Sequence, residues 1–276
     1  MSYFKVTDWE SAYTNGAYIV NGDQWPAAWV EPARTYRDNL AAAGNARFDI
    51  AYGPAERNRF DLFLPEGQPR GLVVFVHGGY WLELDKSYWS HLAAGSIAAG
   101  YAVAIPSYTL CPNNRISGIG REIAAAITTA SEMVGGPIVL TGHSAGGQLV
   151  ARMMTKTSPL GDAALKRIQH VLAISGVHDL RPIMRRAMNE NLRIDAAEAM
   201  AESPALLEPV ENIRLTCWVG GAERAEFIRQ NALLANIWTG LGAPTGAVVE
   251  PDQNHFTVLD GLTDAMHPLT RTLLSE

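Results

Sequence analysis

Residues 137–148 read Pro137-Ile138-Val139-Leu140-Thr141-Gly142-His143-Ser144-Ala145-Gly146-Gly147-Gln148. The first part is a short continuous apolar run, the pattern of a strand covered on both faces. From Gly147 the composition turns helical. Between the two lies Gly-x-Ser-x-Gly, at the place where a strand must turn sharply into a helix. A residue on such a turn is forced into a strained backbone conformation, and bulky neighbours would collide with the helix. Gly142, Ala145, Gly146 and Gly147 leave that space open. The Ser144 hydroxyl then projects at the carboxyl end of the sheet, over the positive end of the helix. Ser144 is therefore the candidate nucleophile.

Working outward, similar runs recur at 72–76, 101–105, 168–174, 213–219 and 245–249. Segments at 88–99, 118–134, 148–155 and 224–238 carry Ala, Leu and Ile at helical spacing. Strands alternating with helices imply right-handed crossovers and a parallel sheet. Two earlier runs, 47–52 and 58–64, are separated by Gly53-Pro54 and predict an antiparallel hairpin at one edge. The expected fold is thus α/β, with a mainly parallel sheet of about eight strands, helices on both faces and one domain over 1–276. Residues 178–210 break the rhythm with Arg181-Pro182, Arg185-Arg186 and Ser203-Pro204. They form either a small helical cap over the site or a solvated helical excursion. Residues 1–45 hold Tyr3, Phe4, Trp9, Tyr13, Tyr18, Trp25, Trp29 and Tyr36 and predict helices packed on the main body, with core packing preferred over a substrate-lining role.

A serine hydroxyl is a weak nucleophile and needs a base. On this architecture the acid and then the histidine follow the serine in chain order. The last strand precedes Asp252-Gln253-Asn254-His255-Phe256, which makes His255 the candidate base among seven histidines. The acid should follow the strand at 213–219, and Glu223 is the first carboxylate there. Glu226 falls inside the next helix and reads as a cap or surface group, and Asp252 is too near His255 along the chain. An oxyanion hole needs backbone N–H groups. Ala145 supplies one, and His77-Gly78-Gly79-Tyr80-Trp81 after the strand at 72–76 supplies others, with Gly79 and Tyr80 preferred and Gly78 the alternate. His77 is expected to brace this loop. Trp81, Tyr80 and His143 are the candidate substrate contacts.

Composition narrows the remaining classes. Hydrophobic residues make up 47% of 276, charged residues 18%, and the net charge is −6. An acidic chain without a Lys/Arg cluster is a poor partner for nucleic acid or an anionic membrane. No apolar run reaches the ~18 residues of a membrane span, and no basic-then-apolar leader opens the chain, so a cytoplasmic protein is expected. Cys111 and Cys217 lack metal-ligand spacing; Cys217 reads as a core thiol, with a disulfide between the two left open. No metal and no cofactor is expected. The partner is a small-molecule substrate, and a homodimer is the base-rate assembly.

The loop His77-Gly78-Gly79-Tyr80-Trp81 resembles the His-Gly-Gly-x-Trp motif of kynurenine formamidases (arylformamidases), in the hormone-sensitive-lipase-like branch of the α/β-hydrolases. Tyr52-Gly53 with Arg59-Phe60-Asp61-Leu62-Phe63, Ser175-Gly176-Val177-His178-Asp179-Leu180 and Glu223-Arg224-Ala225-Glu226-Phe227 are similar to further stretches of that family. The last of these departs from it, with Glu223 in the place of the family's catalytic Asp and Arg224-Ala225 in place of Ser-Pro. The resemblance implies metal-free hydrolysis of an N-formyl amide such as N-formylkynurenine. A carboxylesterase for small acyl esters is the alternative, and a non-catalytic ligand receptor the remote one.

Overall fold

The continuous apolar runs form the middle of one sheet, except that the run at 245–249 forms an edge strand and is largely exposed. The computed structural model describes residues 5–275. Its strands are β1 (Ala46–Ala51), β2 (Arg59–Phe63), β3 (Leu72–Val76), β4 (Ala102–Pro106), β5 (Ile138–His143), β6 (Ile168–Ile174), β7 (Arg214–Gly220) and β8 (Thr245–Glu250). They lie in the order β1-β2-β4-β3-β5-β6-β7-β8. β3, β4 and β5 are buried at every position, whereas β1 alternates, as expected for strands covered on two faces and on one. β2 runs antiparallel to both β1 and β4, and the pairs from β4 to β8 are parallel. The predicted hairpin and parallel sheet are both present.

The ten helices are α1 (Trp9–Tyr13), α2 (Trp25–Ala42), α3 (Ala94–Ala98), α4 (Ile116–Met133), α5 (Ala145–Arg152), α6 (Asp162–Leu165), α7 (Asn189–Leu192), α8 (Ala196–Glu202), α9 (Ala225–Gly240) and α10 (Pro268–Leu274), among the described residues. Side chains alternate across a strand, and β3 shows the consequence. Leu72, Val74 and Val76 join one core with residues of α4, α5 and α9, while Val73 and Phe75 join a second core with residues of α2 and α10. The helix expected at 88–99 is instead a 3₁₀ turn, Ser90–Ala93, followed by the five residues of α3. A Cβ on Gly95 would stand 2.6 Å from the Leu262 carbonyl, so this segment is held against the turn at Thr257–Thr263 and stays short.

Of the N-terminal aromatics, Tyr13 and Trp29 are buried and Trp9, Trp25 and Tyr36 pack partly buried against the core, whereas Tyr18 is exposed; Tyr3 and Phe4 lie outside the described residues. Residues 178–210 contain α7, α8 and two 3₁₀ turns. Cys111 and Cys217 are free, buried thiols, and burial raises both, to about 11 and about 12. No helix among the described residues is long and apolar enough to cross a membrane.

Candidate active site

Ser144 stands between β5 and α5 at φ 54°, ψ −114°. This is a backbone region that L-residues seldom occupy unless the surroundings enforce it. Its N–H donates to the Ile174 carbonyl at 2.8 Å, and its own carbonyl accepts from Gln148 at 3.2 Å. A Cβ on Gly142 would meet the Gly146 carbonyl at 2.4 Å, and one on Gly146 would meet the Val76 carbonyl at 1.9 Å. The glycines of the pentapeptide are thus required by backbone-to-backbone contact, as their spacing suggested.

Two loops at the ends of β7 and β8 are joined by backbone hydrogen bonds. Gly221 N–H donates to Glu250 and Ala222 N–H to Gln253, at 2.6 and 2.9 Å. Gly220 makes this approach possible, since a Cβ there would stand 2.2 Å from the Gln253 carbonyl. The joined loops bring Glu223 Oε2 to 2.6 Å from His255 Nδ1. The Glu223 carboxylate is fully buried, and its Oε1 accepts from Ser175 Oγ at 2.5 Å and from the Gly220 N–H at 2.9 Å. A carboxylate accepts, so Nδ1 of His255 carries a proton, and in the neutral ring the lone pair is then on Nε2. Phe227 lies edge-on to the imidazole, centroids 4.6 Å apart. His255 and Ser144 line the same cavity.

The third loop follows β3. Gly79, Tyr80 and Trp81 all have positive φ, 102°, 48° and 59°. The Gly79 carbonyl accepts from Leu82 and Glu83 and closes the turn. No bonds to acceptors among the described residues are made by the N–H groups of Gly78, Gly79, Tyr80 and Ala145. His77 braces the loop: its Nδ1 donates to the Gly78 carbonyl at 2.7 Å, and its ring stacks on Tyr108 at 4.3 Å. Burial pushes the His77 imidazole down to about 4, so it is neutral near pH 7. Arg57 holds the far side, donating to the carbonyls of Tyr108 and Leu84.

Gly78, Gly79, Tyr80, His143, Ser144 and His255 all line a cavity of about 320 Å³. His143 donates from Nε2 to the His255 carbonyl at 2.9 Å, and burial first, then the neighbouring His255, holds its imidazole well below the usual range. Trp81 is a correction. It does not line the cavity; it is fully buried in the core below, with Nε1 bonded to Gln148 at 3.2 Å. The turn geometry at Tyr80 and Trp81 sends one ring to the cavity and the other inward. Glu226 is the second correction: it is buried rather than a surface group, accepting from the Tyr13 hydroxyl at 2.9 Å and from Arg229 at 2.8 Å.

The opposite wall is formed by residues that no motif marks: Tyr13, Asn15 and Trp29 from the N-terminal segment, Trp89, Phe256 and, from residues 178–210, Arg186 and Met188. Trp29 and Trp89 have centroids 4.5 Å apart, and Trp29 meets Phe256 edge-on at 5.2 Å. Lining the substrate cavity was the less favoured reading of the N-terminal aromatics, and for Tyr13 and Trp29 the structure combines it with core packing. The buried Arg186 guanidinium donates to Glu10, Thr14 and the Tyr13 carbonyl, so it fastens this wall and has little left for a ligand. Ser175 could have been marked in sequence by its place after β6. The wall residues carry no such signal. Among the described residues no three His, Cys, Asp or Glu side chains are placed to hold a metal.

Residues 73–274 match the model of the alpha/beta hydrolase family. The chain belongs to that family. It is similar to the kynurenine formamidase of Danio rerio, 26% identical over 92% of this chain and 90% of that protein, and to that of Salmo salar, 27% identical over 82% and 80%. A crystal structure from Silicibacter sp. tm1040, designated a thioesterase, is 45% identical with TM-score 0.91, covering 96% of this chain and 98% of that one. The protein is a kynurenine-formamidase-like hydrolase of the alpha/beta type.

Proposed function

We propose that the protein hydrolyses the N-formyl amide of an arylamine by acyl transfer through Ser144. The observation that carries the catalytic assignment is the 2.6 Å contact between Glu223 Oε2 and His255 Nδ1, beside the strained Ser144 turn on the same cavity. Glu223 fixes the tautomer, so Nε2 of His255 takes the Ser144 proton as Oγ attacks the formyl carbon. The N–H groups of Ala145, Gly79 and Tyr80 receive the oxyanion, each such donor contributing about 3–4 kcal/mol. On collapse the C–N bond breaks and the amine nitrogen takes the proton from Nε2. Water then gives a proton to Nε2 of His255 as it attacks the formyl ester, and Nε2 returns that proton to Ser144 Oγ as the acyl C–O bond breaks, releasing formate. The aryl leaving group is received by Trp29, Trp89 and Phe256. The formamidase relatives and this aromatic wall support the acyl and leaving groups chosen.

The 45% identical relative designated a thioesterase favours a second reading, cleavage of small acyl esters or thioesters by the same residues. Parallel kinetics on N-formylkynurenine, p-nitrophenyl acetate and an acetyl thioester separate the two. A kcat/KM at least about tenfold higher for the formyl amide is expected; an ester or thioester preference of that size would replace the first reading by the second.

A further inference from the structure

Residues 175–180 take no part in the proposed reaction, yet they follow β6 and touch both halves of the catalytic machinery. Just before them, the Ile174 carbonyl accepts the Ser144 N–H at 2.8 Å. A Cβ on Gly147 would stand 2.9 Å from Gly176 Cα, so the first turn of α5 rests on Gly176. On the other side, the Ser175 N–H donates to the Trp218 carbonyl of β7 at 2.7 Å. The N–H groups of His178 and Asp179 both donate to Gln230 Oε1 on α9, at 2.9 and 2.8 Å. Backbone bonds therefore fix this segment between the nucleophile turn and the strand and helix that flank the acid. Ser175 itself is fully buried at φ 51°. Gly holds that conformation without strain, and other residues occupy it only when the surroundings enforce it. The Ser175 side chain does not line the cavity, and its hydroxyl has one partner among the described residues, Glu223 Oε1 at 2.5 Å.

Glu223 needs that partner. No Lys or Arg among the described residues bonds its buried carboxylate. The last torsion of a Glu side chain has a broad minimum, so the chain alone does not set the plane of the carboxylate. The Gly220 N–H and the Ser175 hydroxyl both bond Oε1, one from the end of β7 and one from the loop after β6. Together they fix that plane and leave Oε2 to His255. Hydrogen bonds to a carboxylate are short and stronger than those between neutral groups. We infer that Ser175 is a positioning residue for the acid, its hydroxyl holding the Glu223 carboxylate where Oε2 meets His255 Nδ1. It acts through Glu223 and not on substrate, and the inference rests on the proposed acyl transfer through Ser144, His255 and Glu223. The same role accounts for a serine where the backbone conformation favours glycine.

Two substitutions remove the hydroxyl: Ser175→Ala keeps the strained backbone and Ser175→Gly relieves it. Both should lower kcat for p-nitrophenyl acetate by about 10–10²-fold, with KM within about twofold of wild type and the melting temperature retained in the Gly variant. Full activity in Ser175→Gly would show that the position serves only the turn, and would overturn the inference. In a Glu223→Ala background, Ser175→Ala should change kcat by less than about twofold, because no carboxylate is left to position. Losses that multiply instead would mean that Ser175 acts by another route. The proton on His255 Nδ1 gives a readout independent of turnover. Its downfield NMR resonance in isotope-labelled protein, assigned by its loss in Glu223→Ala, should move upfield in both Ser175 variants; an unmoved resonance would count against the inference equally. Should Ser144→Ala retain turnover, the acyl-transfer reading fails, whereas a displaced Nδ1 proton would still support Ser175 as the residue that sets Glu223 against His255.

Discussion

Two regions meet at the cavity and are held there by different means. On one side, Ser144, the Gly78–Tyr80 loop and the Glu223–His255 pair sit at the ends of β3, β5, β7 and β8, and their positions are set by backbone. The Gly146 and Gly220 approaches, the positive φ of Ser144, and the loop-to-loop bonds of Gly221 and Ala222 leave little freedom. On the other side, the wall from Tyr13 to Trp29 is held by side chains. Arg186 reaches Glu10 and Thr14, Arg224 reaches Ser11, and Tyr13 reaches Glu226 and Gln230. Under the proposed function, chemistry belongs to the backbone-set side and choice of substrate to the side-chain-held wall, so changes on the first should lower kcat and changes on the second should raise KM.

The largest effect should come from Ser144→Ala. With no nucleophile, kcat should fall by at least about 10⁴-fold, the protein should keep its circular dichroism, and a fluorophosphonate should no longer label it. Turnover within tenfold of wild type would remove Ser144 from the chemistry. Next come the two carboxylates of the 223–226 stretch. Glu223→Gln should lower kcat by about 10²–10⁴-fold, because an amide can present its N–H to Nδ1 and favour the wrong tautomer. Glu226→Gln should change kcat less than about fivefold, since Glu226 serves Tyr13 and Arg229. The opposite ranking would move the acid to Glu226.

Acidification should also strike the backbone-set side. Burial lowers the imidazoles of His77, His143 and His178, to about 4 for His77 and about 3 for His178. Their folded values lie below the unfolded value near 6.5, so between these limits the unfolded chain binds the extra protons. Stability is then full above about pH 6.5 and falls as pH drops toward 4, by up to about 2 kcal/mol per imidazole at pH 5. Urea unfolding at pH 7.5 and pH 5.0 should show a loss of several kcal/mol; equal midpoints at constant slope would mean that these rings charge freely in the fold.

The same contrast explains what was legible in the sequence. Ser144, Glu223, His255 and the glycines stand where strand ends and tight turns restrict the residue type, so their order along the chain carries the geometry. The strand pattern was legible for a similar reason, since β3 to β5 are covered on both faces and read as unbroken apolar runs. Trp81 was misplaced because its motif fixes the backbone of the loop but not which of two adjacent aromatic rings turns inward. Glu226 was misread because its burial depends on Tyr13, more than two hundred residues earlier. Asn15, Trp89 and Arg186 carried no signal, since a wall held by side chains accepts many residue types at any one position.

Tyr13→Phe probes the wall most gently. Its ring is fully buried against Phe227, centroids 5.9 Å apart, and Phe preserves that contact. Only the hydroxyl is lost, and with it a 3.3 Å bond from Arg229, which stays paired with Glu226, one bond to Glu226 and one from Gln230. Both partners keep others, Arg229 for Glu226 and the Asp179 carbonyl for Gln230, so neither is stranded. The Tyr13 carbonyl still accepts from Tyr80 and Arg186. Stability should therefore drop by about 1 kcal/mol, a few degrees in melting temperature. KM should rise severalfold as the wall loosens, with kcat within about twofold of wild type. A fall in kcat at constant KM would show that the hydroxyl supports the helix behind Glu223 and His255 more than the wall, and the division between the two sides would then pass through Tyr13 itself.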